Sequence, residues 1–185
     1  SLLNNSKRPV ILSGGGIRYS NSVKIFNKMI KKCNVPVVTS WSGVDTVDNL
    51  NHLYIGHTGV YGSRAANFAV QNSDLLISIG SRLDTRITGG RPETFARKSK
   101  IVMIDVDKGE LSKRRGLRPH LELNIDAKIF ISNFSDILKK YNFKILKDHR
   151  IWLNQCSDWR KKYPTSSHFF GVSKKFVNPY IFVDE

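Results

Sequence analysis

The chain has 185 residues, of which 40% are hydrophobic and 24% are charged, which suits one globular domain with its own core. Its 30 lysines and arginines against 15 acidic residues give a formal net charge of +15. No apolar run approaches the roughly 20 residues that cross a bilayer, and the first residues lack the pattern of a signal peptide. We therefore expect no membrane partner.

The positive charge is spread along the whole chain. Basic pairs stand at 31–32, 139–140 and 174–175, and no aromatic residues alternate with them as in RNA-binding motifs. Nucleic acid is therefore not the expected partner, although a basic nucleotide- or nucleic-acid-binding module remains an alternative. Cys33 and Cys156 lie far apart without metal-ligand spacing, which predicts reduced, buried thiols in a cytoplasmic protein.

In the first half of the chain, apolar strands alternate with helices. Residues 8–16 form a β-branched run that ends in glycines, typical of a buried parallel strand and its loop. Residues 20–33 then predict an amphipathic helix, and residues 35–40 a second strand. A helix of small residues at 63–73, with Ser63 as its cap, leads to a third strand at 74–81. The predicted inward side of the first helix comprises Val23, Phe26, Met29, Ile30 and Cys33.

The second half continues the alternation. Residues 99–107 and 120–126 predict two further strands, and residues 127–141 predict a helix. Strands that are continuous apolar runs, separated by helices, indicate an α/β fold with a parallel sheet covered on both faces. We expect the inward side of the last helix to comprise Ile129, Phe130, Phe134, Ile137 and Leu138.

The carboxyl ends of all parallel strands meet at one edge of the sheet, where such folds bind ligands. Glycines at 14–16 would let phosphates approach the backbone, and Arg82 and Arg86 could neutralise a diphosphate or stack on a flat ring. The strand-end carboxylates Asp105 and Asp126 could accept hydrogen bonds from a ribose or an adenine. The set predicts a dinucleotide pocket, but a tight glycine turn and an arginine–carboxylate network are alternatives without a ligand.

The identity of the dinucleotide is constrained by what the glycine run lacks. The NAD fingerprint needs a third glycine after Gly14 and Gly16, and an acidic residue near the second strand end, where Thr39 and Ser40 stand. No Gly-Lys-Ser/Thr follows the glycines either, so a P-loop is excluded. The five histidines share no ligand spacing, and no metal site is expected.

Several separated segments resemble, in register, the central domain of thiamine-diphosphate-dependent enzymes, and most closely the acetolactate synthase (acetohydroxyacid synthase) group. They are RPVILSGGGI, PVVTSWSG, GVYGSRAANFAVQNSDLLISIGSRLDTRITGG, IVMIDVD and NIDA, within about residues 7–140. The resemblance implies a Rossmann-like, doubly wound parallel sheet of about six strands, of the DHS-like NAD/FAD-binding type. It also implies a central domain at 1–141, a helical extension at 142–163, and a linker with the start of a diphosphate-binding domain at 164–185.

The resemblance also implies what the chain would not do alone. Family enzymes hold thiamine diphosphate and Mg²⁺ with a Gly-Asp-Gly…Asn segment of their third domain and activate it with a glutamate of their first, and neither has a counterpart here. The chain therefore resembles an excised central domain without catalytic residues. Its expected partners are the flanking pyrimidine- and diphosphate-binding domains and further copies of a full-length enzyme that decarboxylates and ligates 2-oxo acids.

In synthases this domain holds FAD, which is largely structural, while relatives hold ADP or leave the pocket empty. The chain departs from the synthases at Val60 and Tyr61, where they commonly have methionine and histidine, and at Thr85, where they commonly have a second acid. The residues that the resemblance assigns to the cofactor are Gly14, Gly15, Gly16, Ser40, Trp41, Ser42, Gly59, Val60, Tyr61, Gly80, Arg82, Asp84, Arg86, Asp105, Val106, Asp126 and Ala127.

Overall fold

The computed structural model describes residues 1–113, 116–165, 175–178 and 182. Its centre is a parallel sheet whose strands are β1 (Pro9–Ser13), β2 (Val37–Thr39), β3 (Tyr54–His57), β4 (Leu75–Ile79), β5 (Lys100–Asp105) and β6 (Leu121–Asn124). They lie in the order β3-β2-β1-β4-β5-β6, which is the Rossmann order. The expected α/β fold with a doubly wound sheet of six parallel strands is therefore confirmed.

Helices connect the strands and cover both faces of the sheet. They are α1 (Leu2–Asn5), α2 (Gly16–Tyr19), α3 (Val23–Cys33), α4 (Arg64–Asn72), α5 (Thr85–Thr88), α6 (Lys108–Lys113), α7 (Ala127–Lys140) and α8 (Lys147–Lys162), with 3₁₀ turns at Trp41–Thr46 and Pro92–Thr94. Helix α3 packs against α7, and α4 packs against α8. Right-handed crossovers place these two pairs on opposite faces, because α3 and α4 connect strands in opposite directions across the sheet.

The two central strands are buried along their whole length, which explains why their sequences are continuous apolar runs. Every residue of β1 and of β4 is buried, and Val10 pairs with Leu76 in the register between them. The predicted inward side of α3 is confirmed, because Phe26, Met29 and Ile30 are fully buried. In the described ranges, no helix is both long and apolar enough to cross a bilayer.

Two expectations about elements were incomplete or wrong. Strand β3 had not been assigned from the sequence, because this short edge strand is only partly buried and contains a glycine. In α7, Ile129 and Ile137 were expected to face inward, but they are 53% and 50% exposed. The inward stripe instead runs through Ala127, Ile131, Phe134 and Leu138, which follow the i, i+4, i+7, i+11 spacing of one helix face.

Helix α8 lies within the predicted helical extension at 142–163 and joins the same core as the sheet. Trp152, Leu153 and Cys156 belong to the buried apolar cluster. The indole Nε1–H of Trp152 donates to the carbonyl of Pro9 at 3.1 Å, and His149 Nε2 lies 3.0 Å from the carbonyl of Ser6. Most of the linker predicted at 164–185 lies outside the described residues.

Both cysteines are buried and free, as the sequence predicted. Burial raises the pKa of the Cys33 thiol to about 12 and also raises the pKa of Cys156. Both side chains therefore stay protonated near neutral pH and act as small apolar groups in the core.

Candidate functional site

A cleft of about 530 Å³ opens at the carboxyl edge of the sheet, where the chain turns away in opposite directions from the neighbouring strands β1 and β4. Rossmann-like sheets bind ligands at this switch point. Eleven of the seventeen residues assigned from the sequence line the cleft. They are Gly15, Gly16, Ser40, Ser42, Gly80, Arg82, Asp84, Asp105, Val106, Asp126 and Ala127.

The glycines of this edge bring two loops into direct backbone contact. A Cβ added to Gly14 would collide with the carbonyl oxygen of Gly80, and one added to Gly16 would lie 2.7 Å from the Gly80 Cα. The amides of Gly14 and Gly16 donate to the carbonyls of Ile79 and Gly80 at 2.9 and 3.0 Å. Glycine is therefore required at 14 and 16 by packing, whether or not a ligand binds.

The carboxylates of the cleft are held in fixed orientations by backbone amides. Asp126 caps α7 by accepting from the amides of Lys128 and Ile129, and Asp84 caps α5 by accepting from the amide of Arg86. Oδ1 of Asp105 accepts from the amide of Asp107 at 2.9 Å. These three side chains consequently have structural roles in addition to the ligand contacts predicted for them.

Sequence reasoning missed Ser81, which lies between Gly80 and Arg82 and also lines the cleft. Its side chain is buried, and its hydroxyl has no hydrogen-bond partner among the described residues. A buried hydroxyl without a partner is unfavourable, so this oxygen is suited to accept or donate a bond when a ligand enters. The sequence clue is the position of Ser81 in the run after β4, where only Gly80 and the charged residues were predicted to contact a ligand.

Six assigned residues do not line the cleft. Gly14 is buried behind it, Trp41 begins the 3₁₀ turn after β2, and Arg86 belongs to α5. The other three, Gly59, Val60 and Tyr61, belong to the loop after β3. The amide of Val60 donates to the carbonyl of Arg86 at 2.8 Å, which joins the loop after β3 to α5.

The Trp41 ring packs edge-on against Tyr61 and against His57, with 6.0 Å between centroids in each pair. Partial burial lowers the pKa of His57 below its ordinary value. Trp41, Tyr61 and His57 thus form an aromatic group beside the cleft. The lowered pKa of His57 means that its imidazole favours the neutral form.

The cleft has the size and the polar groups of a small-molecule or cofactor site. Its volume falls within the range of about 300–1,000 Å³ that is usual for small-molecule and cofactor sites. Arg82 supplies positive charge near the glycine turn, Ser81 supplies an unpaired hydroxyl, and Asp105 stands at the end of β5. Across the described ranges, no group of three His, Cys, Asp or Glu side chains is placed to hold a metal ion.

With this fold and this cleft in place, comparison with known proteins gives the family. A sequence model described as the thiamine pyrophosphate enzyme central domain matches residues 1–134. The chain belongs to this family. It corresponds to the central domain of thiamine pyrophosphate enzymes of the acetolactate synthase kind, as the sequence motifs had indicated.

The curated relatives of this central domain are acetolactate synthases. Acetolactate synthase 3, chloroplastic, of Brassica napus is 32% identical over 170 residues, which cover 92% of this chain and 25% of the relative. The acetolactate synthase large subunits of Cyanidium caldarium and Lactococcus lactis subsp. lactis are both 33% identical, over 89% and 88% of this chain and 28% and 27% of theirs. The chain spans about a quarter of the length of these relatives.

Proposed function

We propose that the cleft between β1 and β4 binds FAD, or ADP as the smaller alternative, and that the chain is the cofactor-holding part of an acetolactate-synthase-like enzyme. The observation that supports this most is that residues distant in sequence, assigned from motifs alone, gather around one cleft of suitable volume. Asp105 and Asp126 would face the adenosine end, and Arg82 with Ser81 would face the diphosphate.

The contribution of these residues would be binding and orientation. The side chain of Arg82 neutralises phosphate charge, while the amide-anchored carboxylates of Asp105 and Asp126 have little rotational freedom to lose on binding. The bound flavin would stabilise the enzyme's architecture and take no net part in electron transfer.

The test is cofactor binding by the purified full-length protein, read as visible flavin absorbance and as a thermal shift on adding FAD or ADP. Arg82→Gln should weaken the affinity about tenfold, since a charge-assisted contact is lost. Arg91→Gln is the matched control, because Arg91 is exposed outside the cleft and pairs with Glu93 at 3.1 Å. A colourless protein that neither ligand stabilises would contradict the proposal.

A second candidate is a structural central domain with an empty pocket. It is favoured by the finding that Gly14, Gly16, Asp84 and Asp126 all have packing or capping roles that need no ligand. The same titrations decide between the two, because a structural domain would respond to neither FAD nor ADP. A basic nucleotide- or nucleic-acid-binding module would instead require salt-dependent binding of DNA or RNA.

In the full-length enzyme, thiamine diphosphate and Mg²⁺ would bind to flanking domains, and decarboxylation and carboligation of 2-oxo acids would take place there. The chain itself would not be catalytic. Its partners would be those pyrimidine- and diphosphate-binding domains and further copies of the enzyme.

The buried free thiols of Cys33 and Cys156 agree with the cytoplasm as the compartment that we expect. The activity of the full-length enzyme is tested by measuring acetolactate formation, which should be lost in a variant unable to bind thiamine diphosphate.

A further inference from the structure

A second large cleft lies at the opposite, amino-terminal edge of the sheet, away from the candidate cofactor site. It has a volume of about 570 Å³ and is bordered by the end of α4, by α8 and by the residues that precede β1 and β5. Lys7, Arg8, Arg97 and Lys98 contribute its cationic side chains, and we call it the basic cleft. Asp148 is the one acidic residue among those that line it.

The cations of the basic cleft are available to a partner. Lys7, Arg97 and Lys98 are exposed, and none of them forms an ion pair with another residue in the part of the chain that the structure describes. Arg8 is held by its Nε–H, which donates to the carbonyl of Asn72 at 2.7 Å. The nearby carboxylate of Asp74 accepts from the amides of Lys7 and Arg8. The hydrogen bonds of the Asp74 carboxylate are thus to the backbone of Lys7 and Arg8.

One wall of the basic cleft is apolar. Trp152 and Trp159 of α8 line it, their rings edge to face at 5.6 Å, and Ile151 beside them is 57% exposed. Ile151 therefore offers an exposed apolar side chain in the same cleft as the four cations, and covering it would remove apolar surface from water. The cleft therefore combines an apolar contact with positive charge along its rim.

The turn that presents Arg97 and Lys98 is held rigidly. Ala96 is buried with a positive φ of 44°, a conformation that residues other than glycine rarely adopt. The Oγ–H of Ser99 donates to the carbonyl of Ser73 at 2.8 Å, which ties the turn to the end of α4. A rigid turn loses little conformational entropy when its side chains are engaged.

The surroundings of the basic cleft favour an acidic peptide over a compact phosphate group as its ligand, because the carboxylates of a peptide are spread along a chain. Phosphate sites draw on free backbone amides, but those of Lys7 and Arg8 are occupied by Asp74. Stacking of nucleic-acid bases is disfavoured as well, because Trp152 is buried and the ring of Trp159 already packs against Trp152 and Phe68.

We propose that the basic cleft is a docking site for an acidic segment of a partner protein that carries an aliphatic side chain. The acidic side chains of the segment pair with Lys7, Arg97 and Lys98, and the aliphatic side chain covers Ile151. The positive charge of the rim and the exposed side chain of Ile151 together specify this occupant. The proposal does not depend on a cofactor in the carboxyl-edge cleft.

The test is fluorescence anisotropy with the full chain and a labelled peptide rich in glutamate with interspersed leucines. A second peptide has serines in place of the leucines, and a single-stranded oligonucleotide and tripolyphosphate serve as other anionic probes. The variant Lys7→Glu/Lys98→Glu removes rim charge. Lys24→Glu/Lys28→Glu is its matched control, because these lysines are exposed on α3 on the other face and the net charge changes equally.

We expect Lys7→Glu/Lys98→Glu to weaken binding of the leucine peptide at least about tenfold and the control pair to change it less than about twofold. Ile151→Ser should weaken the leucine peptide but leave the serine peptide unchanged. Equal weakening by both lysine pairs would overturn the proposal, since binding would then reflect net charge alone. The oligonucleotide or tripolyphosphate could also bind more tightly than the leucine peptide and lose this binding in Lys7→Glu/Lys98→Glu. That result would overturn the proposal in favour of another class of ligand.

Discussion

Ser78 and Ser81 are two buried serines near the carboxyl end of the central strand β4 that differ in what they face. Neither hydroxyl has a hydrogen-bond partner among the described residues, but only Ser81 lines the carboxyl-edge cleft. Ser81→Ala should weaken FAD or ADP affinity about fivefold, the effect of one hydrogen bond worth about 1 kcal/mol. Isothermal titration calorimetry measures the difference.

Ser78→Ala is the control, because it removes a similarly buried hydroxyl from β4, three residues earlier and outside the cleft. Its affinity should equal that of the unaltered chain. Equal losses in both variants would mean that the effect passes through the strand rather than through a contact with the ligand. No binding by the unaltered chain would instead remove the cofactor proposal itself.

His57 links stability to pH. Burial lowers its pKa from 6.5, so below that value the unfolded chain binds more protons than the folded one. The contribution of His57 is therefore fully present above about pH 6.5 and decreases as the pH falls. We expect His57→Gln to reduce the drop in melting temperature between about pH 7 and pH 5. His120→Gln, at an exposed position, is the matched histidine-to-glutamine control.

At the residue scale, the sequence predicted which residues lie at the ligand-binding edge of the sheet, but not which neighbours their side chains contact. Arg82 and Asp105 were predictable because both follow apolar runs that end at one edge of the sheet. Ser81 was not, because its importance depends on a hydroxyl left unpaired by packing. Trp41 and Tyr61 could be assigned only through the family resemblance, and their contact with His57 depends on how the loops fold over the edge.

At the element scale, the cap of α7 is the clearest point where one side chain supports a helix. Oδ1 of Asp126 accepts from two backbone amides, those of Lys128 and Ile129. Asp126→Ala should lower the free energy of unfolding by about 1 kcal/mol, as is usual when an N-cap is removed. Urea unfolding without added ligand measures it.

Asp136→Ala is the comparison for that cap, since Asp136 lies on the same helix and only pairs with Lys139 on the surface at 3.2 Å. Its loss should amount to a few tenths of a kcal/mol at most. A loss as large as that of Asp126→Ala would show that negative charge on α7, and not the cap, is responsible.

The elements themselves were predictable to different degrees. Strands β1 and β4 are buried on both faces and are therefore unmistakable apolar runs, whereas the edge strand β3 packs on fewer neighbours and needs fewer apolar residues. The inward face of α7 was misjudged because two large residues, Ile129 and Ile137, remain partly in water, while the small Ala127 faces the sheet. Hydrophobicity alone does not separate these positions.

At the scale of the whole molecule, Arg160 ties helix α8 to the far edge of the sheet. Its guanidinium donates to the carbonyls of Tyr54 and Asn49, at 2.7 Å each, and lies 5.3 Å from the centre of the Tyr54 ring. Arg160→Ala should cost about 2 kcal/mol of unfolding free energy, because charge-assisted hydrogen bonds and a cation–π contact are lost together. Chemical denaturation gives the value.

The exposed Arg150 on the same helix provides the control for that variant. Arg150→Ala removes the same charge and a side chain of the same length, so its effect should stay within about 0.5 kcal/mol. If the two variants were equally destabilising, the contacts of Arg160 with Tyr54 and Asn49 would not be what holds α8 in place.

The bond from Arg160 to Tyr54 also bears on how the chain behaves while it is being made. Tyr54 belongs to β3, the edge strand, and an uncovered edge is a template on which other chains can add strands and aggregate. The arginine occupies one of its carbonyls, but it is synthesised more than 100 positions later. A nascent chain that has not yet reached α8 therefore leaves this carbonyl of the edge strand open to other chains.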